Sequence, residues 1–395
     1  MVPPARSMRV GADAVIRTEW NYSVELQSAR MSPSAIRRQI GQLLIAGFKG
    51  LEIPVELKSL AREFGLGGVT LFARNIDDPE QVAGVCYEAA RLSPDLPAWV
   101  SVDQEGGRVA RLKAPFTEWP AMATLGRSGD VALAERFGRA LAAEMRAVGV
   151  TLDFAPVLDV HTNPRNPVIG DRALSARADE VARLGCAIVT ALQTAGVAAC
   201  GKHFPGHGDT STDSHLELPL VEHAPDRMRA VELVPFRAAI QADVATIMTA
   251  HVLVPAVDEQ RPATLSRAIV TELLRDELGY QGVILSDDLE MKAIASDYEP
   301  ARAAVLAVEA GCDGVLICGG DVDVQARTLE ALVYAVEQGQ LPYARVEDAL
   351  ARHASVKTRF LTRRPPERPV SPRVWRQTLG CEAHRAIADE MARFA

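Results

Sequence analysis

The chain has 395 residues, 48% of them apolar and 24% charged, and a formal net charge of −8. That length holds one large α/β barrel or two ordinary domains with a sizeable core, and the negative balance argues against a nucleic acid or an anionic membrane as partner. Six scattered cysteines with no CxxC pair read as reduced, buried thiols rather than a disulfide framework.

Residues 1–31 contain Arg6, Arg9, Arg17 and Arg30 but no apolar run of signal-peptide length, and no run anywhere reaches that of a membrane helix. The expectation is a flexible extension on a cytoplasmic protein, with Met31 as an alternative start. Ser32-Pro33 reads as a helix N-terminus, continued by Ile36, Ile40 and Leu43. Strand-like runs follow at 43–48, 68–72, 98–102, 151–157, 197–200, 245–249, 282–285 and 315–318. Most are separated by helical periodicity, as in Leu133, Phe137, Leu141, Met145 and Val148, closed by Gly149. Eight strands alternating with helices predict parallel pairing and an α/β fold of the (β/α)8 TIM barrel type. A doubly wound open sheet is the competitor, weakened by the lack of a GxGxxG in the first strand-to-helix turn. Two helix-like segments follow near 322–337 and 345–360. The expected layout is an extension over 1–31, a catalytic barrel over 32–362, and a tail over 363–395 with a Pro-rich connector and one helix against the barrel.

In such a barrel functional side chains gather where strands end. Asp103-Gln104-Glu105 follows the third strand and Asp159 the fourth. Lys202-His203 follows the fifth, His251 the sixth and Asp287-Asp288 the seventh. The densest stretch, Gly201 to Glu217, reads GKHFPGHGDTSTDSHLE and holds three of the chain's eight histidines. Metal binding is one use for it, but Phe204-Pro205-Gly206 between His203 and His207 prevents the regular helix that a His-x3-His zinc pair needs, and HExxH is absent. Acid–base chemistry is the other. Asp213 can hold the imidazole of His215 in one tautomer, and with a carboxylate such as Asp287 across a pocket the set has the acid and the nucleophile of glycoside cleavage. Each residue alone has an ordinary structural use, a backbone hydrogen bond or a helix cap. Their convergence on one predicted face points to chemistry.

The string KHFPGHGDTSTDSH at 202–215 resembles the signature loop of glycoside hydrolase family 3, in its β-N-acetylhexosaminidase branch. So do VDQEGGRVARL at 102–112, FAPVLDV at 154–160, NPVIGDRALS at 166–175, MTAHV at 248–252, PATLS at 262–266 and SDDLEMKAI at 286–294. The resemblance implies a retaining exo-β-N-acetylglucosaminidase acting on a small carbohydrate, such as a cytoplasmic muropeptide fragment of cell-wall recycling, with no metal or other cofactor. It implies Asp287 as nucleophile and His215 with Asp213 as acid/base. Sugar contacts would come from Asp103, Arg111, Arg172, Lys202 and His203. His161, in place of the family's more frequent asparagine, is expected on the pocket rim. The residues leave two other readings open, a glycoside phosphorylase on the same scaffold and a metal-dependent hydrolase.

Overall fold

The computed structural model describes residues 33–93, 96–362, 375 and 377–395. The expected N-terminal extension and the Pro-rich connector lie outside the described residues. Eight short parallel strands close on themselves. They are β1 (Leu44–Ala46), β2 (Gly68–Leu71), β3 (Trp99–Val102), β4 (Leu152–Asp153), β5 (Ala198–Phe204), β6 (Thr246–Thr249), β7 (Val283–Asp288) and β8 (Gly314–Ile317). Each pairs with its sequence neighbours, and β8 returns to β1 through Leu44 opposite Val315. The arrangement is a (β/α)8 barrel, and it excludes the open doubly wound sheet. Among the described residues no helix is long and apolar enough to cross a membrane.

Alternation along the strands sorts side chains into two layers. Ile45, Trp99, Leu152, Phe154, Cys200, Leu285 and Leu316 fill the barrel interior. Val69, Val100, Val102, Ile247, Ile284 and Val315 point outward into the helix layer. Gly68 is required beside the largest interior residue, since a Cβ there would lie 2.8 Å from the Cβ of Trp99.

Two strands differ from the sequence reading. β5 continues to Phe204, so Lys202 and His203 stand in the strand and not in the loop after it, and Lys202 pairs with Met248 of β6. Its polarity masked it: the ammonium is neutralised inside the fold, and the backbone ladder continues through a residue that reads as loop. β4 is shorter than expected, with a separate bridge from Val157 to Lys202. The sequence reading also passed over an antiparallel hairpin, Gln104–Gly106 with Val109–Ala110, inserted after β3.

The lower end of the barrel is closed by the C-terminal part of the chain. Helix Tyr343–Lys357 and the turn after it insert Val356, Phe360 and Leu361 into the interior core, and Phe360 lies 6.3 Å from Trp99. Just before β8 the buried Asp313 accepts from Arg275 and Arg345 at 2.6 Å each. The last helix, Glu382–Ala392, lies against helix Val131–Ala147, where Arg136 grips Glu390 through both guanidinium nitrogens. The insertion of Val356, Phe360 and Leu361 closes the face opposite the strand ends, which leaves the strand ends free for function.

Lys357 belongs to this plug and is fully buried, donating to Gln42 Oε1 and to the Gly67 carbonyl at 2.8 Å each. Burial pulls its amine down from lysine's ordinary 10.5 to about 7. Between those values the unfolded chain holds a proton that the folded chain lacks, so stability rises with pH through the window. A Lys357→Met variant is expected to lose that rise: the wild-type advantage in urea midpoint should grow from about pH 7.5 to about pH 10. A pH-independent difference would rule Lys357 out as the titrating group.

Candidate active site

The strand ends open into a cavity of ≈ 370 Å³. Asp103, Arg111, Arg172, Lys202, His203, Asp213, His215 and Asp287, drawn from five separate stretches of chain, all line it. Phe72, Met248 and Met291 supply apolar wall. That is the size and mixed polarity of a small-molecule site.

The floor is a cluster of four charges. Lys202, 2% exposed, places its ammonium 2.7 Å from Asp103 Oδ1 and 2.7 Å from Glu105 Oε1. Arg172 closes the other side of Glu105 with two parallel bonds of 2.8 Å. Burial opposes the charge on Glu105, but Lys202 and Arg172 outweigh it and hold the carboxyl far below its ordinary value. The same burial works against Lys202, and Asp103 with Glu105 raises its pKa regardless. Arg111 reaches Asp103 more loosely, at 3.5 Å.

A second fixed group is Asp159, fully buried. Its Oδ2 lies 2.7 Å from His203 Nδ1, and its Oδ1 accepts the N–H of His207 at 2.7 Å. With Nδ1 so engaged, His203 turns its other ring edge to the cavity. His207 is pushed down to about 4 by burial and is therefore neutral, with Thr210 Oγ1 on one nitrogen at 2.7 Å and Ser214 Oγ on the other at 3.2 Å. Asp209 accepts from Thr162 Oγ1 at 2.7 Å and faces His223 at 2.8 Å. His207 and Asp209 are thus taken up in shaping the loop. Among the described residues no group of His, Cys, Asp and Glu is arranged to hold a metal ion.

The loop after β5 divides in two. Its first half is sewn to the β4 loop by Asn166 Nδ2 donating to the His207 carbonyl at 2.8 Å, and by Gly208, where a Cβ would meet the Val160 carbonyl at 1.9 Å. Its second half carries Asp213 and His215. Asp213 Oδ1 accepts both the His215 N–H and ring Nδ1 at 2.8 Å, so Nε2 is left to exchange protons. The His215 side chain is 64% exposed. A single backbone bond, Ala293 N–H to the Ser214 carbonyl at 3.2 Å, joins this half to the segment after β7.

At the end of β7, Asp287 Oδ1 accepts the Asp288 N–H at 2.8 Å. Burial works against its charge, but His251, His203, that N–H and Lys202 outweigh it and hold its pKa below the ordinary value. Burial drives His251 itself toward the neutral form. Asp288 moves the other way, pushed up to about 7 by burial and by the neighbouring Glu290 and Asp287. Its Oδ1 accepts from the Glu290 and Cys318 N–H groups at 3.1 Å each and so ties β7 to β8.

His161 corrects an expectation. It does not reach the rim of this cavity, because its N–H bonds the Ser175 carbonyl and turns it toward a separate space of ≈ 260 Å³ beside Arg127 and Glu180. Glu105 and Asp159 received no role from the sequence. Counting charges would have found them, since a buried Lys202 and Arg172 require buried anions.

A parallel barrel whose strand ends present an ionised carboxylate and a histidine–aspartate pair around one cavity has the form of a glycoside hydrolase. Residues 35–356 match the glycosyl hydrolase family 3 N terminal domain, and the chain belongs to that family. It is 36% identical over 366 residues to Beta-hexosaminidase A of Pseudoalteromonas piscicida, across 86% of this chain and 60% of that protein. The chain thus spans about three fifths of that relative. The structure of a glycoside hydrolase family 3 beta-N-acetylglucosaminidase from Paenibacillus sp. str. FPU-7 superposes with a TM-score of 0.86 at 41% identity, covering 91% of this chain and 68% of the other. NagZ from Neisseria gonorrhoeae in complex with N-trifluoroacetyl-D-glucosamine gives 0.71 at 32% identity, over 89% of this chain and 98% of that one.

Glu105 is the test of the charged floor. Replacing it by Gln leaves Lys202 and Arg172 short of one negative charge, an imbalance expected to lower stability by about 3–5 kcal/mol. The folded carboxyl titrates far below 4.5, so its contribution is complete above that pH and is lost only as pH falls through the folded value. Urea unfolding should therefore show a constant deficit from about pH 7 down to about pH 4.5 that shrinks in stronger acid. A deficit under about 1 kcal/mol at pH 7 would mean that the cluster is not balanced as described.

Proposed function

We propose that this chain is an exo-acting, retaining β-N-acetylglucosaminidase that releases terminal β-linked N-acetylglucosamine. The observation that carries the reading is the meeting of the eight motif residues in one sugar-sized cavity. The relatives' names, and the N-acylglucosamine held by the Neisseria protein, support the choice of sugar.

In the proposed mechanism Asp287, kept ionised, attacks the anomeric carbon and forms a glycosyl-enzyme intermediate. His215 gives its Nε2 proton to the departing oxygen and takes one from the water that resolves the intermediate. Asp213 holds Nδ1 and stabilises the imidazolium while the proton is on the ring. Asp103, Arg111, Arg172, Lys202 and His203 hold the sugar, with Asp103 accepting from ring hydroxyls. The exposed half of the loop closes over bound sugar and opens for release. Muropeptide fragments in the cytoplasm are the proposed natural substrate, by the family resemblance. No metal or other cofactor has a part in these steps.

Asp287→Ala is expected to lower turnover of an aryl β-N-acetylglucosaminide by about 10⁴-fold or more, with the wild-type product released as the β-anomer. Retained turnover, or an α-anomeric product, would sink the assignment. His215→Ala should lose far more rate on a substrate with a poor leaving group than on an activated aryl one. Equal losses on both would remove His215 as the acid.

A further inference from the structure

Arg111 is proposed above to grip sugar, yet little of its own surroundings fixes it. It follows a hairpin whose strands are three and two residues long, with a register shift between Gln104 and Gly106. A hairpin of that length does not hold its own shape in water. The guanidinium meets Asp103 only at 3.5 Å and lies 5.8 Å from the ring centre of Phe72.

Gln104, 2% exposed, supplies the missing restraint. Its Oε1 accepts two N–H groups, from Arg111 at 2.8 Å and from Leu112 at 2.9 Å. Its Nε2 donates to the Leu112 carbonyl at 2.9 Å. Its own N–H donates at 3.0 Å to Oδ1 of Asp153, the buried last residue of β4. One side chain thus stitches the far end of the hairpin to its root, and the root is fixed to the barrel wall beside Asp103. Three amide bonds replace the ladder that the short strands do not provide.

We infer that Gln104 is a positioning residue: its side-chain amide sets the place from which Arg111 meets the sugar. It touches neither the cavity nor the substrate and acts through the backbone of Arg111 and Leu112. The inference rests on the reading of Arg111 as a sugar contact and adds the group that keeps it there. The chemistry also defines the substitutions. Methionine matches the volume of glutamine with none of its bonds. Glutamate keeps both acceptor roles but as a carboxylate sets a second acceptor oxygen against the Leu112 carbonyl, which only the protonated acid relieves by donating.

The experiment is steady-state hydrolysis of an aryl β-N-acetylglucosaminide by wild type, Gln104→Met, Arg111→Ala, the double variant and Gln104→Glu, with thermal melts of each. Gln104→Met is expected to raise KM about tenfold or more with a smaller change in kcat, as loss of a binding contact does. Adding it to Arg111→Ala should cause no further loss, since its partner is already gone. Gln104→Glu should recover toward wild type as pH falls, when the two are compared at each pH. Unchanged KM in Gln104→Met, or losses that multiply in the double variant, would overturn the inference. If Gln104→Met does not fold, Gln104→Glu decides: a pH-independent ratio to wild type overturns it. An Arg111→Ala variant with wild-type kinetics would instead remove the sugar-grip reading, and this inference with it.

Discussion

The site depends on one ammonium group. Lys202 stands in the barrel wall, 2% exposed, and an unpaired charge there would be costly enough to change its protonation state or the fold. It is retained because Asp103 and Glu105 each approach to 2.7 Å and Arg172 balances Glu105 from behind. The four groups are stable only together. Their requirement for one another ties β5 to the loop after β3 and to the segment around Arg172, so the cavity-facing ends of three elements share a single geometry. An isolated surface pair has no such reach, since water screens it and supports its partners separately.

That cluster also reaches the end of β7. His251, His203 and a donated N–H, with Lys202 of the cluster beside them, outweigh burial and favour the ionised form of Asp287, whereas the next carboxyl, Asp288, is buried among anions and moves up to about 7. Two adjacent carboxyls of one strand therefore take opposite roles. One faces the cavity as an anion. The other uses its oxygen on two backbone N–H groups and holds the strand ends in register. Asp159 plays a comparable part for the imidazoles, fixing His203 from one side, while the burial of His207 keeps that ring neutral and available to Ser214.

The barrel was legible because strand and helix periods differ and because each of its eight strands is an apolar run that side-chain alternation explains. What escaped was polar structure inside that pattern. Lys202 and His203 read as loop because charge normally ends a strand, and only the anions brought from β3, distant in sequence, let the ladder continue. The hairpin at Gln104 escaped for a related reason, since its bonds come from a side-chain amide and not from strand-like residues. His161 was misplaced because a residue's position in a motif does not say which way a loop turns it, and here a single bond to Ser175 decides. The site residues could be named from motifs, but nothing in their order disclosed that Glu105 and Asp159 would be the buried anions behind them.

The contrast between the two halves of the β5 loop follows from what the proposed acid/base must do. A nucleophile serves best in a fixed, partly dry place, where its attack angle is held and nearby donors count for more than they would in water. A proton carrier must in addition meet water once in every cycle, because the second step consumes it. A loop sewn along its whole length would bury the histidine and exclude that water; a loop free along its whole length would lose the sugar grip proposed for Lys202 and His203 next to it. Tight fastening up to Thr210, followed by a turn that presents His215 at 64% exposure while Ser214 beside it is held by His207 and Ala293, satisfies both demands. On that argument the short range of the Asp213–His215 pair, two residues apart, is a necessity: a partner on the barrel would tether the ring to the floor, whereas one within the same turn would travel with it and keep its tautomer throughout the proposed closure.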